Sequence, residues 1–194
     1  MVRIGKVFIA FILLTVAACG GEKEMSLHGA LSVNENAPAE LSHLKNMIGE
    51  WAIEDSILQA DGSWAPGPGA DWDFYYTLDG YAFEDIWVQP PRAVSVEDET
   101  KRTVGVNIRK YDPVAEKWVM AWLTKGPGVV QTFSATSNED ELVMVEDEVN
   151  AQGYIRRITF YNMTGDTFDW RMEASTDEGE TWAEAYRIKG TKKK

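Results

Sequence analysis

Apolar residues alternate with polar residues along most of the chain after residue 50, which is the period of β-strands with one buried face. Turn signals such as Asp79-Gly80 and Gly126-Pro127-Gly128 interrupt the alternation at fairly even intervals. The interruptions divide the chain into ten predicted strands: residues 51–57, 72–77, 81–88, 103–109, 118–123, 129–134, 142–145, 154–163, 168–174 and 182–188. The connections are too short for parallel crossovers, so the pattern predicts an antiparallel meander.

A helical spacing precedes these strands. Leu41, Leu44 and Ile48 recur at helical intervals, and Pro38 suits the first turn of a helix. The spacing predicts a short helix that runs into Gly-Glu-Trp at residues 49–51. We interpret this helix as a plug beside the first strand.

Ten strands in an open sheet would leave two edges unpaired, and closure removes both. The predicted fold class is therefore all-β: an antiparallel up-and-down barrel of about ten strands with a short N-terminal helical plug. A two-sheet sandwich is the competing architecture. A barrel of this size can hold a small ligand, although its interior is expected to be aromatic whether it is a cavity or a filled core.

Large apolar side chains mark the strand face that is expected to point inward. They are Trp51, Ile53, Trp72, Phe74, Tyr76, Phe83, Trp87, Trp118, Met120, Trp122, Phe168, Trp170 and Met172. Aromatic rings are common in ligand cavities, where they stack on the bound molecule. The candidate ligand-binding residues are Trp51, Trp72, Tyr76, Trp87, Trp122 and Arg109.

Two acidic residues, Asp55 and Asp85, fall in phase with the inward set. A buried carboxylate is costly unless it is paired or hydrogen-bonded. We expect both residues to lie at a wet rim of the barrel. If they are inside, Arg109, Arg157 or Arg171 are possible partners, and Asp85 or Asp55 would be the candidate acid of an enzyme. No other catalytic residue is predicted.

Residues 175–182 match the Asp-box pattern Ser-x-Asp-x-Gly-x-Thr-Trp of sialidase-type propellers. The pattern is structural, because Asp177 can accept backbone donors while Gly179 takes a positive φ and Trp182 packs beneath. A single copy without a blade repeat does not predict a propeller. We interpret it as a tight hairpin between the last two strands.

The N-terminus resembles a bacterial lipoprotein signal peptide over residues 1–18. Arg3 and Lys6 form a positive region, and the apolar stretch 7–16 is too short for a comfortable membrane span. It ends in Val-Ala-Ala-Cys at residues 16–19, which resembles the lipobox, so the resemblance implies lipidation of Cys19. Gly20, rather than Asp, implies an outer-membrane lipoprotein facing the periplasm.

Residues 19–37 are polar and lack a period, which predicts a flexible tether between the lipidated cysteine and the barrel. The barrel domain is predicted over residues 38–190, followed by a basic tail at 191–194. The chain has no other cysteine, so no internal disulfide is possible. The two histidines, His28 and His43, precede the strands, and no metal site is predicted.

The formal net charge of −12 argues against nucleic acid as a partner, because nucleic-acid binding needs a basic surface. It also argues against docking on anionic lipid by charge. An acidic surface that maintains solubility is the simpler interpretation. The sequence predicts no oligomeric state.

The Gly-x-Trp step at residues 49–51 resembles the signature of lipocalins and nitrobindin-like barrels. Together with the segments 78–81, 111–118 and 168–182, it resembles a bacterial lipocalin-like family of unknown function over residues 40–190. The resemblance implies a ten-strand barrel with a helical plug. Nitrobindin-type proteins bind haem iron through a histidine in the last strands, and residues 182–188 contain none, so we expect no cofactor. Tyr186 is a less suitable alternative ligand.

The sequence therefore predicts a membrane-anchored lipocalin-like lipoprotein that binds a small apolar or aromatic molecule in its barrel. Two alternatives stay open. One is a small-barrel enzyme of the isomerase or cyclase type, in which a shaped cavity and one acid suffice. The other is a filled barrel that serves as a scaffold or interaction domain in the cell envelope.

Overall fold

The computed structural model describes residues 32–126 and 128–194. The predicted signal peptide, the lipidated Cys19 and the first part of the tether lie outside the described residues. The described chain forms a 3₁₀ helix at Ala39–Met47, a short second one at Glu99–Lys101, and eleven strands. The strands are β1 (Gly49–Leu58), β2 (Trp64–Pro66), β3 (Ala70–Thr77), β4 (Ala82–Gln89), β5 (Thr103–Asp112), β6 (Lys117–Thr124), β7 (Gln131–Ser137), β8 (Leu142–Glu146), β9 (Ile155–Tyr161), β10 (Thr167–Ser175) and β11 (Ala183–Lys192).

The sheet closes on itself through antiparallel pairing of β1 with β11, from Trp51 opposite Lys192 to Ile57 opposite Tyr186. Every other neighbouring pair is antiparallel and follows the chain order from β3 to β11. Ten long strands thus form a closed up-and-down barrel, which confirms the predicted fold class and rules out the sandwich.

Two details differ from the sequence pattern. The three-residue strand β2 pairs with residues 56–58 of β1, beyond the part of β1 that pairs with β3. Its segment follows Gly62 and runs into the Pro-Gly-Pro-Gly stretch at residues 66–69, and because these residues favour turns, the sequence pattern predicts only a loop there. Strand β11 continues to Lys192 because closure requires it to reach the start of β1, so two residues of the proposed basic tail belong to the barrel.

The helical plug at Ala39–Met47 covers one end of the barrel. Its buried residues are Leu41, Leu44 and Met47, and this three-residue spacing matches a 3₁₀ helix, which has three residues per turn. The sequence pattern includes Ile48 instead, but that residue caps the helix and leads into β1. The Trp51 indole donates to the Met47 carbonyl over 2.7 Å, which fixes the helix to the first strand.

The plug also contacts the turns at its end of the barrel. His43 Nδ1 lies 2.9 Å from Ser137 Oγ at the end of β7, and the Asn46 amide donates to the Met163 carbonyl after β9. His43 is therefore half-buried and hydrogen-bonded rather than a plain surface residue. We call this the closed end. The loops that follow β1, β4, β6, β8 and β10 form the opposite end, which we call the mouth.

Residues 32–37 belong to the segment predicted as a tether, and they contact the β3–β4 turn at the closed end. The Asn34 backbone N–H donates to the Gly80 carbonyl, and the Asn34 amide donates to both the carbonyl and the carboxylate of Asp79. This part of the chain is therefore held against the barrel. Among the described residues, no helix combines the length and apolar character needed to cross a bilayer.

The predicted hairpin between the last two strands is confirmed. Asp177 accepts hydrogen bonds from Ser175 and Thr181, and these donors lower the pKa of its carboxyl to about 2. Gly179 has a φ of 94°, and its carbonyl accepts the Trp182 indole N–H at 2.9 Å. The motif closes a hairpin and contributes nothing to the interior.

One inward glycine permits a close approach of the closing strands. Gly190 of β11 lies opposite Phe168 of β10, and a Cβ at Gly190 would lie 2.1 Å from the nearest atom of that buried ring. An aromatic ring that covers a glycine on the neighbouring strand replaces the packing that the glycine lacks. The ring and the glycine therefore depend on each other.

We predict that Gly190→Ala lowers the free energy of unfolding by about 1–3 kcal/mol, because the added methyl displaces Phe168 from a packed core. Urea denaturation measures the change. Gly165→Ala is the matched control, since a Cβ there meets nothing within 4 Å, and we expect it to cost less than about 0.5 kcal/mol. Equal effects of the two substitutions would contradict the packing argument.

Candidate ligand-binding cavity

The barrel interior contains a cavity of about 530 Å³ between the core at the closed end and the mouth. Its walls come from inward residues of nearly all the long strands, and most of them are apolar. The aromatic lining residues are Trp72, Trp87, Trp122, Phe133, Phe160, Trp170 and Tyr186. Met144, Ile158, Met172 and Ile188 add flexible and branched aliphatic surface.

Trp72 of β3 organises the aromatic wall. Its ring lies 5.0 Å from the Trp87 ring at an interplanar angle of 89° and 5.4 Å from the Phe160 ring. Edge-to-face contacts of this kind are favourable for aromatic pairs. Phe74 supports the same ring from the closed end at 4.9 Å. The wall is therefore set by mutual contacts between rings on different strands.

Deep in the barrel, Asp85 and Arg109 form a buried ion pair. Asp85 is fully buried and Arg109 is 1% exposed. Arg109 Nη1 donates to Asp85 Oδ2, and the Trp72 indole donates to Asp85 Oδ1 over 2.6 Å. The expectation that Asp85 lies at a wet rim is therefore wrong. The alternation along the strand correctly predicts that Asp85 points inward. Arg109 on the neighbouring strand is the partner that offsets the cost of burying its carboxylate.

The guanidinium of Arg109 lies between two aromatic rings, 5.8 Å from the Phe83 centroid and 5.6 Å from the Phe160 centroid. Burial lowers the pKa of Arg109 to about 9, so the group still carries its charge at neutral pH. The Asp85 carboxylate balances this charge.

A second ion pair lies in the wall nearer the mouth. Arg156 of β9 donates to Glu146 of β8 through Nε at 2.8 Å and Nη2 at 2.6 Å. The Arg156 guanidinium also lies over the Phe133 ring at 5.4 Å. This bidentate geometry is the strong form of a carboxylate–guanidinium contact. Arg156 thus lines the cavity while its charge is balanced by Glu146.

Asp55 lies at the mouth, where it is 5% exposed and surrounded by hydrogen-bond donors. The Tyr186 hydroxyl, the Gln89 amide and the Gly69 backbone N–H all donate to its carboxylate. Burial and the bond to Asp55 raise the pKa of the Tyr186 hydroxyl above its ordinary value. Asp55 therefore has the predicted position near the rim, but it is buried and fixes the loop before β3.

The predicted ligand-binding residues divide into those that line the cavity and those that contact the plug. Trp72, Trp87, Trp122 and Arg109 line the cavity. Trp51 and Tyr76 point inward as well, but they lie at the closed end.

Both residues of the closed end bind the plug. Trp51 donates to the Met47 carbonyl, and the Tyr76 hydroxyl donates to the Leu41 carbonyl over 3.2 Å. Burial raises the pKa of Tyr76 to about 12. Trp51 and Tyr76 therefore shape the base of the barrel and do not contact the cavity.

Three polar lining residues were not singled out from the sequence: Asn107, Arg156 and Gln89. The alternation of inward and outward residues along each strand could have placed each of them on the inward face. Asn107 lies two residues before the inward Arg109, and Gln89 lies two residues after the inward Trp87. Arg156 precedes Ile158 in the same way. These polar lining residues were not predicted because only large apolar side chains were used to mark the inward face.

The described lining residues do not fit a haem held as in nitrobindin-type proteins. They include no histidine, and the hydroxyl of Tyr186 is engaged by Asp55. Among the described residues, no group of three or more His, Cys, Asp or Glu side chains is placed to hold a metal ion.

Solved structures share this architecture at low sequence identity. Rv2717c from M. tuberculosis matches with a TM-score of 0.56 and 10% identity, over 82% of this chain and 100% of that chain. The S-type phycobiliprotein lyase CPES from Guillardia theta matches with a TM-score of 0.49 and 12% identity, over 79% of this chain and 92% of that chain. No protein-family model and no curated protein sequence matches. The lipocalin-like barrel is confirmed at the level of the fold by the strand pairing described above and by the similarity to Rv2717c.

Proposed function

We propose that this protein is an outer-membrane lipoprotein, anchored through Cys19, whose barrel binds a small apolar or aromatic molecule. The cavity of about 530 Å³ carries the proposal. Its volume lies within the range of about 300–1,000 Å³ that is typical of small-molecule sites. Its walls are mainly aromatic, with a few polar groups, as such sites require.

The cavity favours binding over a scaffold role. In a filled barrel, inward side chains would pack against each other from the plug to the mouth. Here the closed end is packed in that way, with Trp51, Phe74 and Trp118 each fully buried. The half nearer the mouth leaves room between Trp122, Met172 and Tyr186. This division into a packed base and a roomy upper half is what a binding protein needs.

The candidate acids support binding rather than catalysis. Asp85 accepts hydrogen bonds from Trp72 and Arg109 on its two oxygens. Asp55 accepts three hydrogen bonds from Tyr186, Gln89 and Gly69. A general acid must hold a proton within reach of the substrate. Both carboxylates instead accept hydrogen bonds from groups of the barrel itself. Neither is therefore favoured as the general acid of an isomerase or cyclase.

The proposed anchor is compatible with access to the cavity. Ser32, the first described residue, lies beside Gly80 at the closed end. Residues 20–31 can span at most about 40 Å between the lipidated cysteine and this point. A chain anchored at the closed end leaves the mouth free to face the periplasm.

We predict that 2-acetylnaphthalene, a neutral two-ring ketone, binds the full-length protein with a stoichiometry of one. Isothermal titration calorimetry of the protein in detergent measures binding, with the detergent buffer as blank. Ala185→Phe should weaken binding at least about tenfold, because Ala185 lines the cavity and the added ring occupies it.

Ala52→Phe is the matched control for this experiment, since Ala52 is exposed on the outer face of β1. We expect it to bind like the wild type. Equal binding heats from the wild type and Ala185→Phe would show that the probe enters only the detergent, and would count against the cavity as the site.

We predict that Asp85→Asn lowers the free energy of unfolding by about 3–5 kcal/mol, because it leaves the buried charge of Arg109 unbalanced. The double variant Asp85→Leu/Arg109→Met should recover most of this loss, since it removes both charges. Chemical denaturation measures both effects.

The exposed pair Glu184–Arg187 provides the control, with side chains 28% and 51% exposed. Glu184→Gln should cost no more than about 1 kcal/mol. If Asp85→Asn costs no more than Glu184→Gln, the buried charge at Arg109 is not dependent on Asp85.

A further inference from the structure

The charges of the cavity wall do not cancel. The charged residues that line the cavity are Asp55, Arg109 and Arg156. Each arginine forms an ion pair with a carboxylate on an adjacent strand, Arg109 with Asp85 and Arg156 with Glu146. Asp55 forms no ion pair with a described residue, because its hydrogen-bond partners are all neutral groups. The lining and its ion pairs therefore keep one negative charge unbalanced.

The contacts of Asp55 hold it as a carboxylate in a sheltered place. Its Oδ2 accepts from the Tyr186 hydroxyl and the Gln89 amide, and its Oδ1 accepts from the Gly69 backbone N–H. An ionised carboxyl is an acceptor on both oxygens, so these donors favour the charged form. The residue is 5% exposed, and a Cβ at Gly67 would overlap the carboxylate. Water and salt therefore screen this charge less than an exposed one.

Aromatic rings of the cavity lie next to this charge. The ring of Tyr186 carries the hydroxyl that donates to Asp55, and it lies 5.5 Å from the Trp170 ring. Trp87 lines the cavity as well. The faces of Trp and Tyr rings attract cations through the ring quadrupole. The two cavity arginines lie over phenylalanine rings instead.

The surface around the mouth also attracts cations. Two neighbouring mouth loops, residues 147–154 and 176–182, contain five acidic residues and no basic residue. The whole chain has a net charge of −12. A field of this sign raises the local concentration of cations and lowers that of anions. An anion would be repelled at the entrance and again by Asp55, whereas a cation is attracted at both places.

We infer that the ligands are apolar or aromatic molecules that carry a single positive charge, such as amines or amidines. The inference rests on the proposed binding function and adds the charge and chemical class of the ligand. The positive group lies in the part of the cavity next to Asp55. It needs no hydrogen bond to the carboxylate, because Coulomb attraction acts across several ångströms in a site that excludes water. The apolar body packs on the aromatic wall.

Three planar probes of the same shape test the inference: 2-naphthamidine, 2-acetylnaphthalene and 2-naphthoate. At neutral pH they carry one positive charge, no charge and one negative charge. Calorimetry with the full-length protein in an uncharged detergent gives each dissociation constant. We expect 2-naphthamidine to bind about tenfold tighter than the ketone, and 2-naphthoate to bind more weakly than the ketone.

Asp55→Asn keeps the shape of the side chain and removes its charge. It should lower the affinity ratio of 2-naphthamidine to 2-acetylnaphthalene at least about fivefold. Glu54→Gln is the matched control, since it removes the same charge from the exposed outer face of β1, and it should leave the ratio unchanged. Comparing this ratio between variants cancels the distribution of the probes into detergent.

The outcomes separate the two proposals. If none of the probes binds the wild type better than Ala185→Phe, the proposed binding function is wrong. If the probes bind the wild type but 2-naphthamidine is not the tightest, the binding function stands and the inference about cations is overturned. An equal loss of the ratio in Glu54→Gln and Asp55→Asn, or no loss in Asp55→Asn, overturns it as well. Should Asp55→Asn fail to fold, the order of the probes on the wild type decides.

Discussion

The pairing of β1 with β11 is the constraint on which the rest of this structure depends. Seven residue pairs join the first and last strands, so that the inner faces of ten strands enclose one interior. Among the described strands, closure leaves no free edge except along the short β2, and it limits what each inward side chain can contact. A residue on the inner face has only the other inner residues, the plug or the cavity as neighbours.

The plug divides this interior into two parts. At its end of the barrel, the plug residues Leu41, Leu44 and Met47 fill the space between the strands. Trp51 and Tyr76 each donate a hydrogen bond to a backbone carbonyl of the plug. The plug does not extend toward the mouth, so the aromatic rings there pack on each other along the wall. The cavity is thus a consequence of a helix that fills only one end of a closed ring.

The period of two in the sequence was enough to predict the strands, the barrel and the inward rings, because each depends on alternation and turn residues. The reach of the plug was not predictable in the same way. Trp51 and Trp72 lie directly opposite each other on β1 and β3, yet Trp51 donates to the plug and Trp72 lines the cavity. That difference depends on where the plug helix ends against the barrel, which alternation does not encode.

The register between β4 and β5 explains why Asp85 is buried rather than placed at a wet rim of the barrel. From the sequence alone, burying an acidic residue between Phe83 and Trp87 is expected to cost free energy, and a position at the solvated rim avoids that cost. The partner that reverses this balance lies on another strand, where Asn107 is directly opposite Asp85 and Arg109 is one inward position farther along. Long-range pairing of this kind becomes visible only when the strands are aligned.

The interior electrostatics follow from the same alignment. Each arginine that lines the cavity has a carboxylate on the adjacent strand: Asp85 for Arg109 and Glu146 for Arg156. Neither arginine therefore presents an unbalanced charge to the cavity. The wall that faces the cavity is mainly aromatic and aliphatic. A molecule bound there would be held chiefly by contacts with rings and methyl groups, because both arginines already pair with carboxylates of the protein.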